Sequence, residues 1–131
     1  MKYFSVAEAE ALIPELEKIY EAVAELAAQA EVKSASLRRR QEREDSDPAA
    51  AAIERGQLQF LAQSINERLQ GIMELGALPK GIEPALVDFP HRLEGRDVYL
   101  CWRLGDKHLT HYHGVDEGFS NRKPLPRRRA S

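Results

Sequence analysis

Residues 86–125 read LVDFPHRLEGRDVYLCWRLGDKHLTHYHGVDEGFSNRKPL, and this stretch decides which kind of fold the chain adopts. From residue 96 to residue 104 the side chains alternate, so that Val98, Leu100 and Trp102 share one face of a predicted strand. Residues 85–89 form a shorter apolar run that ends at a proline. The stretch also holds the only Cys, the only Trp and all four His of the chain. The sequence therefore predicts a small antiparallel sheet that carries most of the chemically versatile side chains.

A two-residue turn at Gly105-Asp106 is predicted to join the best strand to the segment after it. Because side chains alternate between the two faces of a sheet, a slip of one residue would exchange the faces, and the register is a hypothesis. With this turn, the predicted cross-strand pairs on one face are Val98–His113, Leu100–His111 and Trp102–Leu109.

Two long amphipathic helices are predicted to precede the sheet. The first begins with a capping box at Ser5 and Glu8 and carries apolar residues at heptad spacing from residue 12 to residue 30. Pro14 predicts a bend near residues 10–13, since proline lacks a backbone donor and crowds the preceding turn. Residues 31–46 are polar, and they are read as the tip of a helical hairpin or as a loop.

The second helix is predicted to begin at Asp47-Pro48 and to end at Gly76. Its apolar face carries Ile53 and five further residues, which Phe60 and Met73 broaden. One hairpin leaves part of two broad apolar stripes uncovered, so a homodimer formed through these N-terminal helices is expected.

The predicted fold class is α+β: a long N-terminal antiparallel helical hairpin, a small antiparallel β-sheet and a turn-rich C-terminal tail. At 131 residues the chain is expected to be a single domain over residues 1–131, with the hairpin at 1–76, the β-containing segment at 77–125 and a frayed tail at 126–131.

Composition narrows the classes of function. A formal net charge of -2 argues against nucleic-acid binding, which normally requires a basic surface. No apolar stretch approaches the ~18 residues of a membrane span. A single Cys forms no internal disulfide, and the N-terminus lacks the pattern of a secretory signal, so a cytoplasmic location is expected.

Four residues are candidates for catalysis: His113, Asp116, Asp88 and Cys101. A carboxylate beside an imidazole fixes the tautomer that general acid–base chemistry needs, and a thiol near a cation can act as a nucleophile. The same region predicts a divalent metal site, with zinc or a similar ion held by His113, Asp116 and His111. The ordinary alternatives are a hydrogen-bonded strand histidine and a buried, inert cysteine.

Ligand binding is a further hypothesis for the C-terminal segment. Guanidinium groups bind anions, and aromatic rings supply stacking surface, although charged residues on edge strands often serve only to prevent aggregation. The candidate ligand-binding residues are Arg122, Trp102, Tyr112 and Arg103.

The run at residues 86–107, the run YHGVDEGFSNRKPL at residues 112–125 and the N-terminal FSVAEAEALIPEL resemble a family of small bacterial proteins described as a domain of unknown function, DUF2203. The resemblance implies a cytoplasmic bacterial protein and no particular activity. His108 and His111 depart from the family pattern, which favours His113, Asp116, Asp88 and Arg122 over a three-histidine site. Positions that match the pattern include Asp88, Phe89, Pro90, Cys101, Trp102, His113, Asp116, Phe119, Arg122 and Pro124.

The function expected from these patterns is a non-enzymatic binding or assembly module with a ligand or partner site in the C-terminal segment. The alternative is a metal-dependent or His/Asp acid–base enzyme acting on a small molecule, and the sequence leaves open whether the protein is an enzyme.

Overall fold

The computed structural model describes residues 2–43 and 47–126, and it confirms an α+β architecture with helices first and an antiparallel sheet after them. The helices are α1 (Val6–Ala11), α2 (Ile13–Glu42) and α3 (Pro48–Glu74). The five strands lie in chain order across one sheet, and each neighbouring pair is antiparallel. Their bounds are β1 (Leu78–Ile82), β2 (Ala85–Leu93), β3 (Arg96–Arg103), β4 (His111–Gly114) and β5 (Lys123–Pro124).

The chain forms two compact units: a sheet unit, made of the residues up to Lys18 and those from Ile72 onward, and a hairpin unit, Ile19–Gly71. None of the helices in the described ranges combines the length and apolar composition needed to cross a membrane. The described residues do not include 127–131, which are most of the predicted frayed tail, or 44–46, which are part of the predicted polar tip.

The helix ends follow the local sequence. Ser5 and Glu8 form the predicted capping box, with Ser5 Oγ accepting from the Glu8 N–H at 3.0 Å. Leu12 interrupts the helix two residues before Pro14, within the segment where a bend was predicted. Asp47 Oδ1 accepts from the Ala50 N–H at 3.0 Å and caps α3 as predicted.

Gly76 ends α3 with a positive φ of 98° in a Schellman motif. The Ala77 N–H donates to the Ile72 carbonyl at 3.3 Å, and the Gly76 N–H donates to the Met73 carbonyl at 2.9 Å. The predicted stop at Gly76 is therefore confirmed, and β1 starts two residues later.

In the hairpin unit, α2 extends to Glu42, well into the segment interpreted from sequence as polar tip or loop. Arg40 on α2 pairs with Glu54 on α3. Val23 is buried, but Ile53 is 62% exposed and Phe60 is 68% exposed. The apolar stripe predicted for α3 is therefore only partly covered.

Two strand features were missing from the sequence interpretation. Strand β1 contains Pro79 and is irregular at Lys80, which an edge strand tolerates because its outer groups need no partner. Strand β2 continues through Pro90 to Leu93 and turns into β3 at Glu94-Gly95, where both residues have positive φ, as a type I′ turn requires.

The predicted register between β3 and β4 is wrong by one residue. The observed partners are Val98 with Gly114, Tyr99 with His113 and Leu100 with Tyr112. The connection is a loop over residues 104–110 instead of a two-residue turn. It is held by Trp102 Nε1, which donates to the Asp106 carbonyl at 3.0 Å, and by the Leu109 N–H, which donates to Glu10 at 2.8 Å.

This register gives the sheet one apolar face and one mixed face. The apolar face carries Val87, Phe89, Leu100 and Trp102, all fully buried, and Phe4 meets Phe89 edge-on with ring centroids 5.2 Å apart. On the other face lie the residues that alternate with these. They include Asp88 and His113, which are both buried.

Candidate functional site

Asp88, Cys101 and His113 form a buried cluster on the mixed face, with relative exposures of 7%, 4% and 3%. Each comes from a different one of the three adjacent strands β2, β3 and β4. Asp88 is the direct cross-strand partner of Cys101, and His113 is the partner of Tyr99, two residues before Cys101. Because residues two apart on a strand share a face, the observed register brings the three side chains together.

The candidate ligand atoms of Asp88, Cys101 and His113 all lie within 4.8 Å of one another. Among the described residues this is the group of three His, Cys, Asp or Glu side chains close enough to share one cation. A carboxylate oxygen, an imidazole nitrogen and a sulfur are the three ligand types that zinc accepts in proteins.

Both nitrogens of His113 face oxygen acceptors. Nδ1 lies 2.8 Å from the Gly114 carbonyl oxygen, and Nε2 lies 3.0 Å from Asp88 Oδ2. A carbonyl oxygen only accepts, so Nδ1 carries a proton and donates it. In a neutral imidazole Nε2 then presents a lone pair toward a carboxylate. A second proton on His113, a proton on Asp88 or a bound cation removes this repulsion.

Burial governs the protonation of the two other cluster members. It raises the pKa of Asp88, with the hydrogen bond from His113 and the charge of Lys80 acting in the opposite direction. Burial, reinforced by the negative charge of Asp88, raises the pKa of Cys101 to about 12, and Arg122 opposes this rise. Without a cation, Cys101 is therefore a neutral thiol at physiological pH.

Glu117 orders the turn that follows the cluster. Its carboxylate accepts from the Gly114 N–H at 2.8 Å and from Lys123 at 3.0 Å, and the N–H bond is the larger cause of its lowered pKa. The Gly114 carbonyl in turn accepts from the Glu117 N–H at 3.0 Å. Glu117 thus fixes the carbonyl oxygen that sets the tautomer of His113.

A cavity of about 270 Å³ opens onto the cluster. Val115 and residues 117–119 form one side of it, and a single 3₁₀ turn starts at Phe119. Tyr99 lies beside His113, with ring centroids 5.5 Å apart. The lining side chains that matter for the chemistry are Asp88, His113, Lys80, Leu86, Tyr99 and Phe119.

The remaining sequence candidates lie elsewhere. Asp116 is exposed and lines a separate groove with Arg96 and Asp97. His111 is half-buried, and its Nδ1 lies 2.9 Å from the Thr110 hydroxyl. The structure therefore does not bring Asp116 or His111 into the cluster with His113.

The four ligand-binding candidates are also dispersed. Trp102 is fully buried on the apolar face, and Arg103 is exposed. Tyr112 faces the Lys123 ammonium at 6.0 Å. Only Arg122 is near the cavity, with its guanidinium 4.2 Å from the ring centroid of Phe119.

Sequence reasoning gave no role to Lys80 and assigned none specifically to Glu117. The irregularity of β1 between Pro79 and Gly81, where a bulge redirects the Lys80 side chain, is visible only in the structure. The spacing of three between Gly114 and Glu117 is typical of a carboxylate that closes its own turn.

A family model described as "Uncharacterized conserved protein (DUF2203)" matches residues 2–125. The match includes all three cluster residues and the whole cavity lining. Neither a curated protein nor a solved structure matches the chain.

Proposed function

The chain belongs to the DUF2203 family, and we propose that it is a metal-binding module in which Asp88, Cys101 and His113 hold a divalent transition-metal ion such as zinc. The observation that carries the proposal is the arrangement of His113. Its Nδ1 donates to a backbone carbonyl while its Nε2 faces Asp88 and, within 4.8 Å, Cys101. Metal-bound histidines in proteins typically make this second hydrogen bond to a carbonyl or carboxylate.

The donor set suits zinc better than magnesium or calcium. Zinc takes nitrogen and sulfur ligands at four-coordinate sites, whereas magnesium and calcium prefer oxygen ligands in larger numbers. Three protein ligands leave one position open, as in catalytic zinc sites and unlike closed structural sites.

A cation would remove the repulsion between the His113 lone pair and the Asp88 carboxylate. It replaces the proton between His113 and Asp88, and it lowers the pKa of the Cys101 thiol by attracting the thiolate. The buried carboxylate then gains a partner of opposite charge. The negative charges of Asp88 and a Cys101 thiolate balance the two positive charges of the ion.

The alternative of His/Asp acid–base catalysis fits the geometry less well. A general base needs one imidazole nitrogen directed at the substrate, but Asp88 and the Gly114 carbonyl occupy both nitrogens of His113. Nucleophilic catalysis by Cys101 requires a thiolate, and its pKa of about 12 opposes this in the metal-free state.

Cobalt substitution tests the proposal directly. Metal-free protein titrated with Co²⁺ is expected to bind one ion per chain and to develop a thiolate-to-cobalt charge-transfer band. Cys101→Ser is expected to abolish the band, and His113→Gln to weaken binding at least tenfold. The matched control is His108→Gln, which changes an exposed histidine and is expected to bind like the wild type. Wild-type protein that binds no cobalt or zinc, or binds it equally after Cys101→Ser, would contradict the proposal.

Self-association through the hairpin unit is a second function, favoured by its exposed apolar face. Ile53, Gly56 and Phe60 lie at helical spacing on α3 and line a groove with Gln29 and Lys33 of α2. Apart from its chain neighbours and the adjacent backbone of α3, no atom of the described residues lies within 4 Å of where a Cβ at Gly56 would be. The exposed Phe60 ring and the open position at Gly56 are one turn apart, so a second copy related by a two-fold axis can place its Phe60 over this Gly56.

Light scattering at micromolar concentration is expected to give twice the chain mass of 14.8 kDa for the wild type and a monomer for Phe60→Glu. Leu104→Glu changes an exposed apolar residue of the sheet unit and serves as the control, with dimerisation expected to be unchanged. A wild-type mass near 14.8 kDa would rule out this dimer.

The compartment that we propose is the cytoplasm, where thiols remain reduced.

A further inference from the structure

The cavity beside the cluster shares two of its walls with the proposed metal ligands. Asp88 and His113 belong to the cluster and also line the cavity of about 270 Å³. Because two of its three ligands line the cavity, an ion held by the cluster would be accessible from this space. A molecule in the cavity can reach the metal without displacing a protein ligand.

Two cationic side chains lie at or beside the cavity. Lys80 lines it, is exposed, and makes no hydrogen bond or ion pair with any residue in the ranges 2–43 and 47–126. Arg122 lies over the ring of Phe119, which also lines the cavity. The other lining carboxylate, Glu117, already accepts from Lys123 and from the Gly114 N–H. With the metal charge balanced by Asp88 and Cys101, the two cations leave a positive surplus that selects for an anion.

The remaining walls are apolar and aromatic, formed by Leu86, Tyr99 and Phe119. Since a molecule of water occupies about 30 Å³ in the liquid, the cavity of about 270 Å³ accommodates a body of roughly nine non-hydrogen atoms. An inorganic anion such as phosphate would leave the apolar walls in contact with water.

We propose that the cavity binds a small carboxylate with an aromatic or branched apolar body, whose carboxylate contacts the metal and Lys80 while its body packs between Tyr99 and Phe119. This inference rests on the proposed metal site and identifies its ligand class. The proposed site is expected to bind a carboxylate more tightly than the neutral amide of the same shape, because the amide carries no negative charge to interact with the metal and Lys80.

Benzoate is a suitable probe because it has nine non-hydrogen atoms, about the number that fits, and benzamide is its neutral isostere. Isothermal titration of zinc-loaded protein is expected to detect benzoate binding at least tenfold tighter than benzamide binding. The metal-free protein is expected to bind benzoate at least tenfold more weakly than the zinc-loaded protein. Lys80→Gln is expected to weaken benzoate binding about tenfold while zinc still binds, and Lys80→Arg is expected to restore benzoate binding.

The matched control is Lys107→Gln, which removes a lysine of the same unit whose ammonium is paired with Glu17. Its benzoate affinity is expected to equal that of the wild type. Zinc binding without benzoate binding would overturn the ligand assignment and leave the metal proposal standing. Failure to bind zinc would overturn both. Equal benzoate affinity with and without zinc, or an equal loss in Lys80→Gln and Lys107→Gln, would overturn the proposed contacts.

Discussion

Replacing Asp88 with asparagine tests whether Asp88 is a metal ligand or one member of a structural ion pair. The side-chain amide that Asp88→Asn introduces can donate to Nε2 of His113, while Nδ1 continues to donate to the Gly114 carbonyl, so hydrogen bonding in the metal-free protein stays complete. Because burial raises the pKa of Asp88, the substitution also removes an ionisable group from a costly environment. The free energy of unfolding of metal-free protein is expected to change by no more than about 1 kcal/mol.

The zinc-dependent stabilisation is expected to differ strongly between the two proteins. At a free zinc concentration about 1,000 times the wild-type Kd, binding stabilises the folded wild type by about 4.1 kcal/mol. Loss of a hydrogen-bonding partner outside the metal's own ligands weakens metal sites by up to about 100-fold, and loss of a direct ligand is expected to do at least as much. A site weakened about 100-fold is stabilised by only about 1.4 kcal/mol at the same zinc concentration. The two proteins therefore differ by about 2.7 kcal/mol.

Urea unfolding with a reductant, with and without zinc, measures both quantities, provided that the transition is two-state. Asp116→Asn is the matched control because Asp116 is exposed and lies outside the cluster, and it is expected to behave like the wild type. The reasoning would be refuted if Asp88→Asn lost about 3 to 5 kcal/mol without metal, the cost of breaking a buried ion pair. Equal zinc stabilisation in Asp88→Asn and wild type would refute it as well.

Three further predictions concern the framework. Leu100→Ala is expected to lower the free energy of unfolding by about 2–5 kcal/mol, measured by urea unfolding, because Leu100 is fully buried in the apolar face; a loss below about 1 kcal/mol would disagree. Gly95→Ala is expected to destabilise by about 1 kcal/mol because its φ is 79°, whereas Gly118→Ala, with a φ of -114°, is expected to be near neutral; equal effects would argue against the turn. Burial raises the pKa of Tyr20 from 10.0 to about 12. The stability that this shift contributes is therefore complete below pH 10 and lost as the pH rises toward 12. Tyr20→Phe is expected to lessen this alkaline loss in a pH series of thermal unfolding, and an unchanged loss would contradict the assignment.

The sequence predicted the features that depend on local chemistry. The capping box at Ser5, the start of α3 at Asp47-Pro48 and the stop at Gly76 each follow from the hydrogen-bonding capacity or backbone freedom of one or two residues. The strand at 96–103 followed from strict alternation. These features need no knowledge of distant contacts.

Which side chains meet at the site depends on the register between β3 and β4, and local sequence patterns do not determine that register. The loop at 104–110 is held by Trp102 and by Glu10, which lies 99 positions from Leu109 in the chain, and this contact is not visible in the sequence of the loop. The shift of one residue placed His113 on the face of Tyr99 and Cys101. The candidates Asp88 and His113 lie 3.0 Å apart, whereas Asp116, chosen for its proximity in sequence, lines a different groove.

X-ray absorption spectroscopy of zinc-loaded protein tests the central claim most directly. The account predicts one sulfur ligand at about 2.3 Å together with nitrogen and oxygen ligands at about 2.0–2.2 Å. In Cys101→Ser the sulfur contribution is expected to disappear while the nitrogen and oxygen contribution remains. A zinc environment of nitrogen and oxygen alone in the wild type, or a sulfur contribution that survives the Cys101→Ser substitution, would contradict the account.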